Sequence, residues 1–409
     1  MTISPAAPAG TAPEPLPVQP PSGCPFDPPA AFGTLRTERP ISKISLPDGS
    51  WTWLATRYSD IRAILGDLRF SSDTTLHGYP LSGMTGGGNT ENRGFIRMDP
   101  PEHTRLRRMV TREFMVKRVE ALRPEIQRLT DELCDAMERR TGEDVDLIEA
   151  LALPVPSLVI SLLLGVPYDD HDVFQRLTGT LLSRTVPDDE REAARVELRD
   201  YLDQLVTAKE AAPGDDILGR LITEQQRTGE ISHDDVAAFA ALLLIAGHET
   251  TANMIGLSAL TLMLDPGSAE RLRQEPGLIR GAVEELLRFH SIIRNGPRRV
   301  ATADIEIDGH LIRAGEGVVT AVPSANRDES VFADADRLDV CRPNAQHHVA
   351  FGYGIHQCLG QALARVELQV VIGTLLRRFP ALRPAVPVEE IPFRTDMAIY
   401  GCHALPVTW

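Results

Sequence analysis

The chain has 409 residues, 43% of them hydrophobic and 24% charged, and its formal net charge at pH 7 is −15. This composition is typical of a globular protein with a large core, and the negative charge argues against nucleic acid as a partner. The five cysteines are odd in number and lack CxxC spacing. They argue against a disulfide scaffold or a zinc ribbon and favour a reducing cytoplasm.

The N-terminus predicts neither a signal peptide nor a membrane anchor. Residues 1–23 are rich in proline and alanine, with no basic start and no apolar core, which predicts a disordered tail. The longest apolar stretch, Leu151 to Pro167, is interrupted by prolines and is short for a bilayer span, so it predicts a buried helix. No linker or repeat divides the remainder, and residues 24–409 are predicted to form a single domain.

The first half of the chain predicts a hairpin followed by helices. Residues 41–57 alternate around a Pro-Asp-Gly turn, which is typical of a β-hairpin, and a short helix should follow from Ser59. Residues 71–97 are rich in Gly, Ser, Thr and Asn, which predicts a long mobile loop. From Pro101 to about Pro266 the pattern is mostly helical.

One predicted helix is unusually long. Ser232 with Asp235 three residues later forms a capping-box variant, and an apolar-rich stretch runs on to Leu264. About 30 residues at 1.5 Å each would span about 45 Å, and the apolar faces indicate burial. Residues 305–322 then predict a small antiparallel sheet, and residues 390–409 predict further strand. The chain is therefore expected to be mainly α with a minor β region.

Cys358 lies in an unusual frame, FGYGIHQCLGQALAR, at the start of an amphipathic helical pattern. A metal-binding cysteine must be a thiolate, which cationic groups and helix N-termini favour. Gly352 and Gly354 permit a tight bulge, and Gly360 leaves room for a flat, bulky ligand. The alternative, a small buried cysteine in a glycine-rich turn, does not by itself account for the glycines, the histidine and the helix together.

This stretch resembles the haem-binding signature of cytochrome P450 enzymes, FxxGxxxCxG, in the longer form FGxGxHxCxGxxLAR. The resemblance implies that Cys358 is the axial thiolate of a haem iron and that Phe351 shields its sulfur. A thiolate pushes electron density onto iron and favours O–O cleavage. It also implies the triangular-prism fold of this family, with haem b (iron protoporphyrin IX) between the long central helix and the Cys358 loop.

The stretch LIAGHETTANM, in the middle of the predicted long helix, resembles the oxygen-activation motif (A/G)Gx(D/E)T of that family. The resemblance implies that Ala246 and Gly247 leave room for dioxygen. It also implies that Glu249 and Thr250 form the acid–alcohol pair that manages proton delivery. On the residues alone, a packed helix with a Ser/Thr-type kink is an open alternative.

Haem propionates are anionic and need cations or hydrogen-bond donors. His103 and Arg107 lie one helical turn apart, and the resemblance implies that they bind one propionate while Arg299 and His356 bind the other. Arg298 is a neighbouring alternative to Arg299. On the residues alone, His103 could be a surface histidine and Arg107 a solvated charge.

Glu285 and Arg288 have the i, i+3 spacing that is common on solvated helix faces. They also match the ExxR motif of the family, and Arg342 lies where its partner arginine is expected. The resemblance implies a buried ion network with a structural role.

A basic stretch stands out in this acidic chain and predicts a docking face. Between residues 105 and 123 two acids, Glu113 and Glu120, are outnumbered. The seven basic residues are Arg105, Arg107, Arg108, Arg112, Lys117, Arg118 and Arg123. The resemblance implies a ferredoxin as electron donor, which could be steered to this cysteine-side face. A solvated helix face is the alternative.

The resemblance implies insertion of one oxygen atom from O2 into a bulky, mostly apolar secondary metabolite, such as a macrolide or a terpenoid. Electrons would come from NAD(P)H through a reductase and ferredoxin, in a cytoplasmic, monomeric protein resembling the actinobacterial group of the family. The pocket is expected among residues 71–97 and 174–190 and the seven residues Leu243, Ile292, Ile293, Arg294, Met397, Ala398 and Ile399. Arg294 either binds a substrate oxygen or points to solvent.

Three alternatives stay open. A peroxide-driven or isomerising member of the family is disfavoured by the Glu249–Thr250 pair. A non-catalytic haem-thiolate protein would bind ligand without turnover. A cysteine-nucleophile hydrolase using Cys358 and His356 would bind no haem.

Overall fold

The computed structural model describes residues 13–17, 24–46, 48–80, 94–140, 142–167, 170–294 and 296–409. Their helices are α1 (Ala31–Glu38), α2 (Tyr58–Gly66), α3 (Glu102–Thr111), α4 (Val116–Glu138), α5 (Pro154–Leu164), α6 (His171–Leu182), α7 (Asp188–Ala211), α8 (Ile217–Leu221), α9 (His233–Gly247), α10 (Glu249–Leu264), α11 (Pro266–Gln274), α12 (Ile279–His290), α13 (Val322–Ala325) and α14 (Gln361–Arg378). Their strands are β1 (Glu14–Pro15), β2 (Ile41–Ser45), β3 (Trp51–Ala55), β4 (Phe70–Ser71), β5 (Val145–Asp146), β6 (Arg298–Ala301), β7 (Ile305–Ile307), β8 (His310–Ile312), β9 (Gly317–Thr320), β10 (Arg383–Pro384) and β11 (Pro406–Thr408). The prediction of a mainly α fold with a minor β region is confirmed.

The predicted hairpin is present and forms part of the largest sheet. Strands β2 and β3 pair antiparallel from Ile41–Ala55 to Ser45–Trp51, within the order β1-β2-β3-β9-β6-β4. Two residues of the predicted tail, Glu14 and Pro15, add a short parallel strand to β2. Most of the other tail residues, 1–12 and 18–23, lie outside the described part of the chain.

The later strands follow the prediction only in part. β7 and β8 form the expected small hairpin, whereas β9 leaves it and pairs with β3 and β6. Residues 390–409 contain one strand, β11, together with the isolated bridges Ser183–Met397 and Phe393–Cys402. Prolines and a glycine interrupt this terminal stretch, and prolines cannot donate to a ladder.

The helix α2 begins at Tyr58, one residue before the predicted cap Ser59. The Tyr58 N–H donates to the carboxylate of Asp328 at 2.9 Å, so a side chain 270 positions away caps this helix. Of the predicted loop 71–97, residues 81–93 lie outside the described residues, while Phe95–Arg97 form a short 3-10 turn. A second 3-10 turn, Gly354–His356, precedes Cys358.

The long central helix is α9 followed directly by α10, with a break at His248. Its start has the predicted capping box, in which Ser232 and Asp235 exchange hydrogen bonds. At the break, His248 Nδ1 lies 2.7 Å from the Leu244 carbonyl, and its Nε2 lies 3.0 Å from Thr178 Oγ1. Polar side chains here bond to groups one turn away, which is how such residues interrupt a helix.

Most of the described helices pack around one large hydrophobic cluster, which includes α4, α5, α9, α10, α12 and α14. The predicted buried helix is α5, which ends at Gly165 in the left-handed conformation (φ 65°). The continuous stretch His233–Leu264 is long and apolar enough to cross a membrane, but 61% of its most apolar window is buried inside the structure. Such burial is typical of the core helix of a globular protein.

Candidate active site

A cavity of about 560 Å³ lies among α10, α14, β6 and the loop that carries Cys358. Its lining is mostly apolar and includes Ala246, Met254, Ile292, Ile293, Val322, Phe351 and Leu368. The titratable side chains on its described wall are Tyr79, Arg97, Arg298, Arg299, Tyr353, His356 and Cys358. The cavity thus brings the predicted cysteine together with the middle of the central helix.

The loop before α14 holds Cys358 by its backbone. The Cys358 N–H donates to the Phe351 carbonyl at 2.9 Å, and its exposed surface belongs to the cavity wall. Gly352 and Gly354 have φ of 73° and 74°, and a Cβ on Gly354 would lie 2.3 Å from the Leu65 carbonyl oxygen. Glycine is therefore required where the loop meets the end of α2.

The surroundings of Cys358 act on the pKa of its thiol in opposite directions. Burial raises the pKa of its thiol, although a hydrogen bond with the Gly360 backbone and the charges of Arg107 and Arg365 act in the opposite direction. A bound metal cation deprotonates a coordinating thiol outright. The geometry therefore suits a cysteine that becomes a thiolate on binding a metal.

Four groups beside the cavity form what we call the histidine–arginine cluster: His103, Arg107, Arg299 and His356. The two imidazole rings lie 4.1 Å apart, and none of their four buried nitrogens has a hydrogen-bond partner among the described residues. Burial, together with the charges of Arg299, His103 and Arg107, lowers the pKa of His356 to about 3. Buried polar groups are normally paired, so these residues fit the carboxylates of haem propionates.

The two arginines of the cluster lie close enough to affect both histidines. Burial and the charges of Arg107 and Arg299 lower the pKa of His103, and both arginines also act on His356. The division into two propionate-binding pairs, His103 with Arg107 and Arg299 with His356, stays a prediction.

The residues of the predicted oxygen-activation motif do not all face the cavity. Ala246 and Thr250 line it, and Thr250 Oγ1 donates to the Ala246 carbonyl at 2.7 Å. Gly247 faces α5 instead, because a Cβ there would lie 3.0 Å from the Ile160 side chain. The role of Gly247 is therefore corrected, since it lets α5 approach the central helix closely.

Glu249 is buried and turned away from Thr250. Its Oε2 accepts hydrogen bonds from Arg394 Nη1 at 2.8 Å and from Asn253 Nδ2 at 3.3 Å, and it is not on the cavity wall. The partner Arg394 is 145 positions away, so the motif alone could not have indicated this ion pair.

A further acid beside the cavity was not predicted. Glu367 is buried on α14, and its Oε2 has no partner among the residues described. Burial raises the pKa of Glu367 to about 8, although a hydrogen bond with Thr251 acts to lower it. Thr251 lines the cavity. The signal was available, because Leu363, Val366 and Val370 place residue 367 on the apolar face of the helix.

Glu285, Arg288 and Arg342 form what we call the ion cluster. Glu285 Oε2 accepts from Arg288 Nε at 2.7 Å and from Arg342 Nε at 3.0 Å, and the side chains of Glu285 and Arg288 are fully buried. Arg288 Nη1 also donates to the carbonyls of Asn326 and Ala335. The three predicted structural residues thus meet in one place and hold the segment before the cysteine loop.

Comparison with known proteins places this geometry in a family. The family model described as cytochrome P450 matches residues 54–399. The chain belongs to the cytochrome P450 family. It is therefore a monooxygenase, an oxidoreductase with a haem-thiolate cofactor, and the predicted P450 fold is confirmed.

Similar proteins cover almost the whole chain. Cytochrome P450-SU2 of Streptomyces griseolus is 54% identical, over 95% of this chain and 95% of that protein. Pentalenic acid synthase of Streptomyces avermitilis is 50% identical, over 94% of this chain and 95% of that protein. The crystal structure of mycinamicin VIII C21 methyl hydroxylase MycCI from Micromonospora griseorubida, bound to mycinamicin VIII, has a TM-score of 0.89 and 44% identity, over 94% of this chain and 98% of that chain.

Arg294 of this P450 is buried and is not part of the described cavity wall, so the structure places it neither in solvent nor on the predicted pocket. Its guanidinium donates to the carbonyls of Asp27 at 3.2 Å and Pro25 at 3.0 Å and lies 3.5 Å from the Tyr400 ring centroid. Burial lowers the pKa of Arg294 to about 10. Its role is to fasten the N-terminal segment to the body of the protein.

The predicted pocket of the P450 is only partly right. Ile292 and Ile293 line the cavity, whereas no residue of 174–190 does so in the described part of the chain. The predicted residues that are absent from the described wall are Leu243, Met397, Ala398 and Ile399, which lie in the core or in bridges to the end of α6. Of the predicted range 71–97, Thr74, Tyr79, Ile96 and Arg97 line the cavity, although no motif singled out Tyr79 or Arg97 individually.

The basic face of the P450 is largely neutralised. Arg105, Arg112, Arg118 and Arg123 pair with Glu102, Glu113, Glu120 and Glu224. Among described residues, Arg107, Arg108 and Lys117 of this stretch have no ion pair. In the same stretch, Met115 and Val116 are 58% and 67% exposed. The face is therefore smaller and more apolar than seven cations predict.

Proposed function

We propose that this P450 binds haem b through Cys358 and inserts one atom of O2 into a bulky, mostly apolar secondary metabolite, by hydroxylation or epoxidation. The observation that carries the proposal is the cavity, whose wall combines Cys358 and Thr250 with a mostly apolar lining. Haem, when bound, supplies an iron centre that activates dioxygen, and a thiolate ligand favours O–O cleavage.

The residues of this chain supply a ligand for the iron, hydrogen-bond donors for the cofactor and groups that can carry protons. Cys358 offers Sγ to the iron, and the histidine–arginine cluster offers donors to the propionates. Thr250 carries its hydroxyl proton on Oγ1 at the cavity wall. In the structure this hydroxyl donates to the Ala246 carbonyl. Glu249 can exchange a proton with the cavity only when its ion pair with Arg394 opens.

The substrate class rests on the apolar lining and on the relatives. An apolar cavity with few polar groups is typical of small-molecule sites. Among similar proteins of known name, one is a mycinamicin VIII hydroxylase and one is a pentalenic acid synthase. Both support a macrolide-like or terpenoid-like metabolite as substrate.

For the electron donor we propose an acidic ferredoxin, reduced by NAD(P)H through a reductase, and a monomeric, cytoplasmic enzyme. Arg108 and Lys117, which have no ion pair among described residues, belong to the same chain segment as the exposed Met115 and Val116. In a chain of net charge −15, this local reversal of sign can steer an acidic partner to one face.

The test has a spectral part and a catalytic part. The reduced holoenzyme with CO should give the red-shifted Soret band of a haem thiolate, and its absence, or absence of haem, would leave the hydrolase alternative. A panel of macrolides, terpenes and sterols is then screened for spectral shifts. The ligands that bind are incubated with ferredoxin, reductase, NAD(P)H and isotope-labelled dioxygen, and the product should carry one labelled oxygen atom.

Two results would overturn the monooxygenase cycle with ferredoxin. Product formed from hydrogen peroxide but not from the reductase system indicates a peroxide-driven enzyme. Tight ligand binding without product under either condition indicates a non-catalytic haem-thiolate protein.

A further inference from the structure

Arg97 is a cation on the cavity wall that the structure leaves without a protein partner. It ends the 3-10 turn Phe95–Arg97, which is anchored by Phe95 against Phe239 and His103 at ring distances of 5.9 and 6.1 Å. Arg97 lines the cavity. Within the described residues, its guanidinium makes no hydrogen bond and no ion pair.

The cavity wall carries positive charge without a matching carboxylate. Its described charged side chains are Arg97, Arg298 and Arg299, and no aspartate or glutamate of the described residues lines it. Arg298 donates to the Pro80 carbonyl and Arg299 to the Arg298 carbonyl. Arg97 is thus the cation with the least compensation from the protein.

Arg97 lies near Tyr79 on the cavity wall. After burial, the groups that act on the pKa of Arg97 are Tyr79 and Arg195 of α7. Tyr79 is also affected by Arg299 and Arg298, and its hydroxyl donates to the Arg298 carbonyl at 3.4 Å. Arg97 therefore lies on the part of the wall that Tyr79 shares with Arg298 and Arg299.

We propose that Arg97 recognises an anionic group, a carboxylate, on the substrate. Arg97 is exposed on the cavity wall, and a guanidinium without a protein partner can bind a ligand carboxylate through two parallel hydrogen bonds. The apolar body of such a substrate would then lie against Ala246, Ile292 and Ile293. This inference rests on the proposed function, because it concerns the substrate of the same cavity.

The test compares an apolar acid with its own methyl ester. Wild-type holoenzyme is titrated with dodecanoic, abietic and cholic acids and with their methyl esters near neutral pH, and the spectral shift gives each Kd. The acid should bind about 10-fold more tightly than its ester in at least one pair, as expected for a hydrogen-bonded charge pair. Equal affinities in every pair, or no binding of any acid, would overturn the inference.

Variants assign the preference to Arg97. Arg97→Gln should weaken binding of the acid about 10-fold and leave the affinity for the ester unchanged. Arg97→Lys should keep part of the preference for the acid, because it keeps the charge but not the planar guanidinium that forms two parallel hydrogen bonds. Arg128→Gln, which removes a surface arginine paired with Glu125 and Glu132, should leave the ratio unchanged.

Two outcomes separate this inference from its rivals. If Arg97→Gln lowers haem content or moves the Soret band without ligand, and the acid-to-ester ratio stays that of wild type, Arg97 serves the cofactor and the inference is wrong. If the reduced CO complex of the wild type lacks the thiolate band, the proposed function itself fails, whatever the ratio.

Discussion

The ion cluster and the cavity side differ in whether their buried polar side chains have hydrogen-bond partners. In the ion cluster, Glu285 and Arg288 are fully buried, and they hydrogen-bond to one another, to Arg342 and to backbone groups. On the cavity side, the ring nitrogens of His103 and His356 are buried with no partner among the described residues. The polar groups of the first region are paired within the folded chain, whereas the second has buried polar groups that are available to a ligand.

This difference separates groups that hold the fold from groups that hold ligands. Removing one member of a satisfied buried network leaves its partners unpaired, which destabilises the protein strongly. Removing an unsatisfied group should change binding more than stability. Each of the following changes tests that division.

The largest effect is expected at the ion cluster. Arg288→Met leaves the Glu285 carboxylate buried with one partner fewer and frees the Asn326 and Ala335 carbonyls, so it should lower the free energy of unfolding by roughly 3–5 kcal/mol. Urea unfolding measures it. The control Arg128→Met removes an exposed arginine and should change stability by less than about 1 kcal/mol. Equal effects of the two changes would refute the division.

Glu367 should make the free energy of unfolding depend on pH. Its folded pKa of about 8 lies above the unfolded value of about 4.3, so the folded state binds more protons between these values and loses stability as pH rises. Glu367→Gln cannot ionise and should gain roughly 3 kcal/mol over wild type between pH 5 and pH 8. Thermal unfolding across this range gives the difference.

The control for this effect is Glu38→Gln, at an exposed position at the end of α1, whose stability relative to wild type should not depend on pH. A stability difference for Glu367→Gln that is the same at both ends of the range would show that Glu367 is ionised in the folded protein.

Thr250→Ala should uncouple the reaction. The change removes the hydroxyl at the cavity wall while the fold keeps its packing, so NAD(P)H should be diverted to peroxide about 10-fold more often, a difference of about 1.4 kcal/mol. Peroxide formed per NAD(P)H consumed is the measurement. Thr250→Ser, which keeps a hydroxyl, should stay close to wild type, and unchanged coupling in the alanine variant would remove Thr250 from proton delivery.

The smallest effect is expected at the cationic face. Arg108→Glu reverses a cation of the basic stretch that has no ion pair among described residues, and should slow reduction by ferredoxin about 3-fold at low salt, less at high salt. Arg105→Glu, at a position already paired with Glu102, should slow it less. Stopped-flow reduction at two salt concentrations tests this, and equal rates in all three proteins would argue against docking there.

The sequence predicted the elements that local patterns specify. The hairpin β2–β3, the capping box of α9 and the glycine-framed cysteine loop all follow from short-range rules, and the structure has all three. The sequence could not predict partners that are far apart in the chain. The Arg394 partner of Glu249 and the anchoring role of Arg294 both depend on contacts across more than a hundred residues.

Helical periodicity also predicts which face of a helix is buried, but not what lies against it. Gly247 and Thr250 belong to one motif, yet the first packs on Ile160 and the second lines the cavity. Arg97 belongs to no motif, and although the predicted range 71–97 includes it, only the assembled wall singled it out. The site was thus predictable where one segment forms it and not where several segments meet.

The contact between Gly354 and the end of α2 has a consequence for anyone who would redesign this enzyme. A side chain at position 354 would both require a left-handed backbone and strike the Leu65 carbonyl oxygen at 2.3 Å. A library that varies this position should therefore yield almost only colourless clones, whereas one that varies Ile96, Arg97 and Ile293 should keep its colour. The freedom to acquire new substrates lies in the part of the wall that no motif describes.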